Sequence, residues 1–261
     1  MSEKVKAKKH LGQHFLKDEV IADKIVEALQ KQVSQIDVLE VGPGMGVLTQ
    51  RLLNFPQLTV WASEIDKESV QYLQINFPAL EKRLLSQDFL EMDFGKNFKS
   101  EIAIIGNFPY NISSQIVFKI LDNYVRIPLM VGMFQKEVAE RICAKPGGKE
   151  YGIISVLTQA LYDATYLFTV PPHVFDPPPK VESGVMQLKR KSYAQNIPMT
   201  QLKKVVKTAF NQRRKKLRNA ISIFGLTDEA LGIYATKRAE ELNLEDYLKL
   251  IQIIDEKGKW N

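Results

Sequence analysis

The chain has 261 residues and a mass of 29.8 kDa, room for one large domain or one domain with a small companion. Its apolar runs, such as Ile102–Ile105 and Pro128–Phe134, fall far short of the ~20 residues that span a bilayer. No apolar segment follows the basic start MSEKVKAKKH, and the single cysteine, Cys143, excludes a disulfide framework or a cysteine-cluster metal site. A soluble, cytoplasmic protein with no membrane partner is expected. The net charge of +6 is unevenly placed: residues 1–190 carry 22 basic and 22 acidic side chains, residues 191–261 carry 14 and 8. A further basic cluster, Lys4, Lys6, Lys8 and Lys9, opens the chain. Segregated positive charge points to a polyanion, nucleic acid ahead of membrane. A solubilising tail accounts for the charge equally well at this point.

Residues 1–190 alternate strand and helix patterns. Asp37–Val41 is a β-branched run ending in Gly-Pro-Gly, Leu48–Leu53 reads as helix and Leu58–Ile65 as the next strand. Lys67–Phe77 has helical spacing and stops before Pro78, and Arg83–Gln87 and Ile102–Gly106 read as strands. Ser113 is placed to cap a helix carrying Ile116, Val117, Ile120 and Leu121. Leu129–Phe134 is a buried strand, Lys136–Cys143 a helix, and KPGGKE at 145–150 a loop. Tyr162–Val170 and Gly184–Leu188 are strand-like, separated by five prolines within residues 171–179, a stiff excursion that cannot be helix or central strand. Strands alternating with helices predict an α/β fold with a mostly parallel sheet. From Lys191 onward only helices are expected, with Val206, Phe210, Leu217, Ile221 and Phe224 forming one apolar seam and Leu244–Ile254 another. The domain boundary is expected near residue 190.

Glu40-Val41-Gly42-Pro43-Gly44-Met45-Gly46 closes the first strong strand and opens a helix. Glycines there permit a sharp turn and close approach of a ligand. The spacing is neither the G-x-G-x-x-G of a dinucleotide fingerprint nor a G-x-x-x-x-G-K-[ST] phosphate loop. Glu64 ends the second strand, where a carboxylate can accept both ribose hydroxyls, and Asp88 follows the third in Ser86-Gln87-Asp88-Phe89-Leu90, where it can accept from an adenine amino group. These features share the carboxyl ends of strands, where an open α/β sheet forms its ligand crevice.

Ile105-Gly106-Asn107-Phe108-Pro109-Tyr110 follows the fourth strand at the same edge. An exocyclic amine conjugated to an aromatic ring is a poor nucleophile. The Asn107 carbonyl and the main-chain carbonyl of Phe108 or Pro109 can accept its two N–H bonds and turn its lone pair toward an electrophilic methyl group. Pro109 stiffens the loop and Tyr110 offers a face for a flipped base. An Asn-Pro turn with a core tyrosine remains the plain alternative.

Together these residues resemble the ribosomal RNA adenine N6,N6-dimethyltransferase family. The likeness runs from Leu11-Gly12-Gln13-His14-Phe15-Leu16 through Gly42–Gly46, Glu64-Ile65-Asp66, Asp88 and Asn107–Tyr110. It continues through Phe134–Val138, Phe175–Ser183 and Ala209–Lys215, whose basic motif favours the small-subunit branch. The resemblance implies a Rossmann-like S-adenosylmethionine-dependent methyltransferase domain over 1–190 and a small all-helical, basic RNA-binding domain over 191–261. It implies S-adenosylmethionine as methyl donor, no metal, and two adjacent adenosines in a hairpin loop near the 3′ end of 16S RNA as the target. The partner would be the small ribosomal subunit, met by a monomer.

Residue by residue, Gln13, His14 and Leu16 would lie at the methionine end of the cofactor with Glu40, Gly42 and Gly44. Glu64 would hold the ribose, Asp88 and Phe89 the adenine, and Asn107 would stand between cofactor and target amine. Tyr110 and Phe175 would sandwich the target base, with Pro109 shaping the loop. Two positions depart from the usual pattern: His14 stands where many bacterial members have Asn, and Phe108 where Leu is common. Phe108 either crowds the amine or turns into the core.

Three scattered histidines give no metal site, and Cys143 reads as an inert small side chain. Arg213-Arg214-Lys215-Lys216-Leu217-Arg218, taken as a helix, presents cations on every face except the apolar seam, and no acid occurs between Leu188 and Thr227. With Lys8, Lys9 and Lys180 it is the expected RNA contact. RNA is preferred to duplex DNA because a base is most easily splayed from a single-stranded loop. Two rivals stay open: a large-subunit adenine methyltransferase conferring antibiotic resistance, and a non-catalytic RNA-binding assembly factor.

Overall fold

Apolar runs become strands and amphipathic stretches become helices in nearly the expected order in the computed structural model, which describes residues 5–260; Lys4 of the basic opening cluster lies outside them. The chain divides into two compact units. One takes residues up to Ala139 together with Asp163–Arg190, the other Glu140–Tyr162 with the chain from Lys191 onward.

The first unit begins with β1 (Phe15–Leu16) and α1 (Glu19–Gln30), then alternates β2 (Ile36–Val41), α2 (Val47–Leu52), β3 (Leu58–Ser63), α3 (Lys67–Asn76), β4 (Leu84–Leu85), α4 (Phe94–Asn97), β5 (Ile102–Asn107), α5 (Ser113–Asp122) and β6 (Leu129–Gln135). Within α6 (Lys136–Cys143) the chain passes to the second unit, and it returns with β7 (Tyr162–Val170), β8 (Phe175–Asp176) and β9 (Ser183–Arg190). Seven strands form one sheet in the order β4-β3-β2-β5-β6-β9-β7. β4, β3, β2, β5 and β6 are parallel to their neighbours, and β9 runs antiparallel to β6. Adjacent residues Val38 and Leu39, and Ile104 and Ile105, are all fully buried. Successive strand side chains point to opposite faces, so both faces of the sheet are covered. From β2 the chain builds outward through β3 and β4, then returns to lay β5 and β6 on the other side. This reversal creates the crevice where such sheets bind ligands.

Helix α1 has no counterpart among the expected elements. Its signals are Asp18, whose carboxylate accepts the Ile21 N–H at 3.0 Å, and buried Ala22, Ile25, Val26 and Leu29 at helical spacing. Ser113 does not cap α5 as expected. It is the first helical residue, and its hydroxyl donates back to the Tyr110 carbonyl at 3.0 Å.

The second unit holds α7 (Ile153–Leu161), α8 (Met199–Asn211), α9 (Leu217–Ala220), α10 (Asp228–Leu231) and α11 (Leu244–Lys257). A boundary near 190 misses part of it. Val156, Leu157, Ala160 and Leu161 of α7 are buried, α7 packs on α8 and α11, and Tyr151 meets Phe210 at a 6.4 Å ring separation. An apolar helix is claimed by whichever core covers it, and sequence position alone does not say which. The basic tract also differs from expectation. α8 ends at Asn211, residues 212–216 form a turn, and helix resumes only at Leu217. Within this turn the Arg213 guanidinium donates to the main-chain carbonyls of Gly148 and Lys149 at 3.3 and 2.7 Å and lies 3.7 Å from the Glu240 carboxylate.

Candidate active site

A cavity opens outside the carboxyl ends of β2, β3 and β5 in the first unit. Of the residues expected there, Gln13, His14, Gly42, Gly44, Glu64, Asp88, Phe89, Asn107, Pro109 and Tyr110 line it. The turn after β2 requires its glycines: Gly42 and Gly44 have φ of +68° and +56°, a region L side chains avoid. A Cβ on Gly42 would meet no atom within 4 Å, so the main chain there faces open cavity space. A Cβ on Gly44 would strike the Phe15 ring at 2.7 Å, so this glycine also lets the N-terminal segment close down on the turn.

Glu64 sits at the floor. One carboxylate oxygen accepts the Gly44 N–H at 3.0 Å, and the other accepts those of Ile65 and Asp66 at 2.9 Å each. Burial pushes its carboxyl up from the ordinary range, and these backbone bonds offset part of the rise. Asp88 accepts the Leu90 N–H at 2.8 Å through one oxygen and lines the cavity beyond β4, at the cap of a short 3-10 turn over Phe89–Glu91. At the other wall, the Asn107 amide nitrogen donates to the His14 main-chain carbonyl at 2.8 Å. That bond fixes the side chain with its carbonyl oxygen unpartnered among the described residues. The Phe108 carbonyl is likewise unpartnered, whereas that of Pro109 receives the Ile112 N–H and the Ser113 hydroxyl, each at 3.4 Å. Tyr110 stacks on the His14 ring with centroids 5.5 Å apart and bonds Ser183 through its hydroxyl. Burial raises its phenol above the ordinary value, partly offset by that bond, so the group stays neutral.

Three expected residues lie elsewhere. Leu16 is buried in the core beside the cavity. Glu40 is buried behind the glycine turn, bonded by the Thr49 hydroxyl. Burial and the nearby Glu64 charge push its carboxyl up to about 8 against the pull of that bond. Phe175 is not among the residues that line the cavity. It pairs with Leu16 in the β1–β8 ribbon and is 1% exposed within the core, because an apolar ring on a two-residue strand gains most by burial. Phe108 resolves the other open question. Its ring is 1% exposed, lies 4.7 Å from that of Phe134, and fills the space a Cβ on Gly132 would occupy. Its ring therefore turns into the core, although the residue also borders the cavity.

Several lining residues were not anticipated, among them Leu11, Phe15, Ile65 and Gln87. Ile65 was legible in principle: an isoleucine directly after the strand-end acid, 53% exposed at the cavity. Gln87 was not, and its amide nitrogen is buried without a hydrogen-bond partner among the described residues.

The expected RNA contacts divide in two. Lys8 forms ion pairs with Asp66 and Glu68, Arg213 is spent on carbonyls of its own unit, and Arg218 pairs with Asp228 at 3.1 Å. Lys9, Lys180, Arg214, Lys215 and Lys216 are exposed, with no ion-pair partner among the described residues. No helix among the described residues is long and apolar enough to cross a membrane, and no group of His, Cys, Asp or Glu is arranged to hold a metal.

Comparison with known proteins matches residues 4–256 to the family model described as ribosomal RNA adenine dimethylase. The chain is 53% identical over 259 residues to the ribosomal RNA small subunit methyltransferase A of Flavobacterium johnsoniae, covering 98% of each protein. It is 51% identical to that of Cytophaga hutchinsonii, covering 98% of this chain and all of the other. Among solved structures, a dimethyladenosine transferase from Plasmodium falciparum superposes with a TM-score of 0.81 at 26% identity, over 94% of this chain and 98% of that one. The 23S rRNA methyltransferase ErmE superposes at 0.70 and 24% identity, over 92% and 99%.

Proposed function

The chain belongs to the ribosomal RNA adenine dimethylase family, and we propose that it transfers methyl groups to N6 of adenosines in small-subunit ribosomal RNA, in keeping with the adenine named in the family and the small-subunit RNA named in its relatives from Flavobacterium and Cytophaga. S-adenosylmethionine is the donor, and when bound it supplies a methyl group on a sulfonium centre. The residues present fit it. Gly42 offers bare main chain to the cavity, Glu64 keeps one lone pair, on the oxygen that accepts the Gly44 N–H, for a ribose hydroxyl, and the second oxygen of Asp88 accepts from the adenine amine.

Asn107 carries the assignment. With its amide nitrogen held by the His14 carbonyl, its oxygen accepts one hydrogen of the target amine, and the unpartnered Phe108 carbonyl accepts the other. The two acceptors hold the nitrogen pyramidal with its lone pair out of conjugation. No general base is required, because the proton leaves after transfer. Tyr110 supplies the stacking platform. With Phe175 buried, the base stacks on one face of that ring, while His14 backs the other. Arg214, Lys215 and Lys216, with Lys9 and Lys180, meet phosphates of the RNA. Such a substrate puts the work in the cytoplasm, on assembling ribosomal subunits.

The test incubates the purified protein with labelled S-adenosylmethionine and undermethylated small subunits, followed by nucleoside mass spectrometry. Dimethyladenosine is expected. Label appearing in large-subunit RNA alone would overturn the substrate assignment.

A further inference from the structure

Tyr110 is held more tightly than stacking alone requires. It opens a three-residue 3-10 helix on the loop between β5 and α5. Two distant groups set its ring orientation. The Ser183 hydroxyl, fully buried at the start of β9, bonds the phenol oxygen. The His14 ring lies against it at 30° between planes and is itself tied to the Pro177 carbonyl at 2.7 Å. That carbonyl can only accept, so the His14 Nδ1 carries the proton. Ser183 in turn stands opposite Gln135 in the β6–β9 register, so its bond links a loop residue to the sheet.

We propose that Ser183 is a positioning residue for methyl transfer, fixing through its hydrogen bond the plane of Tyr110 on which the target adenine stacks. This rests on the reading of Tyr110 as the base platform. A planar base carries its amine in its own plane, so a tilt of the platform swings N6 away from the Asn107 oxygen. Misplacement of about 1 Å can cost on the order of a hundredfold in rate. The Tyr110–Ser183 bond lies within the protein and touches no part of the RNA or the cofactor, so its loss acts on turnover and not on binding.

Tyr110→Phe and Ser183→Ala remove the same bond from opposite ends. Steady-state methylation of undermethylated small subunits is measured for each and for the double variant, with S-adenosylmethionine affinity by calorimetry. Each single variant is expected to lower kcat by about three- to tenfold, the worth of one hydrogen bond. KM for the subunit and cofactor affinity stay unchanged. The double variant is no slower than either single one, since both lose one shared interaction. Single variants with wild-type kcat, a double variant whose loss is the product of the two, or a parallel fall in cofactor affinity would each overturn the proposal. Tyr110→Phe keeps the ring and removes only the phenol oxygen, so it carries the test by itself if Ser183→Ala fails to fold. Tyr110→Ala separates the two levels. Full activity there removes the platform reading and the proposal with it. Inactivity there, beside wild-type Tyr110→Phe and Ser183→Ala, leaves the platform standing and removes only the role of Ser183.

Discussion

The cavity of the first unit and the basic turn of the second solve opposite problems. Around the cavity the key side chains are anchored by fixed partners: Glu64 accepts three backbone N–H groups, and Asn107 and Tyr110 are held by His14 and Ser183. In the basic turn, the side chains of Arg214, Lys215 and Lys216 are exposed with no ion-pair partner among the described residues, while Arg213 beside them bonds main-chain carbonyls of its own unit. Chemistry at one nitrogen needs acceptors fixed before the substrate arrives. Grip on a phosphate backbone needs only mobile charge, and that grip is screened by salt. Neighbouring cations in one motif can therefore belong to different jobs.

The largest effect expected from breaking this contrast is at Asn107. Asn107→Ala should lower methylation by about a hundredfold to a thousandfold, the cost of removing one fixed acceptor, while RNA affinity in a filter-binding assay stays close to that of the parent. Comparable losses in both would mean that Asn107 holds RNA and not the amine.

An intermediate effect separates the cations. Replacing Arg214, Lys215 and Lys216 together by serine should weaken RNA binding and reduce the magnitude of the slope of log affinity against log salt by about two. Arg213→Ala should leave that slope nearly intact and instead lower stability by about 1 kcal/mol, read as a drop in Tm. The reverse pattern would return Arg213 to the RNA interface.

The smallest effect sharpens the comparison from the buried side. In the folded protein Glu40 keeps its proton to about pH 8, against an ordinary value of 4.5. Between those values the native state binds the extra proton, so the stability this group contributes is full below pH 4.5 and is lost as pH rises toward 8. Glu40→Gln holds the neutral form throughout. Denaturant melts of that variant should therefore lose less stability than the parent over this window. Parallel pH curves would mean that the Glu40 carboxyl is ionised in its pocket.

Much of the first unit was legible because its signals are local. A β-branched run reads as a strand wherever it lies, and Gly42–Gly46, Glu64, Asp88 and Asn107 each stand at a strand end, so the order of strands already gathers them. α1 was missed although its cap and apolar spacing are equally local. The second unit was less legible, since α7 sits among first-unit elements in the chain yet is buried with α8 and α11.

Composition, periodicity and strand-end motifs thus determined the fold class and the location of the cavity. Only the tertiary structure decided how the residues are used. It put the partner of Asn107 93 positions away and that of Tyr110 73 positions away, turned Phe175 into the core, and assigned Lys8 and Arg213 to contacts within the protein. The reason is physical. A backbone's preference for strand, helix or sharp turn depends on the few residues nearest in sequence, whereas burial, charge pairing and ring orientation depend on whatever the fold brings alongside.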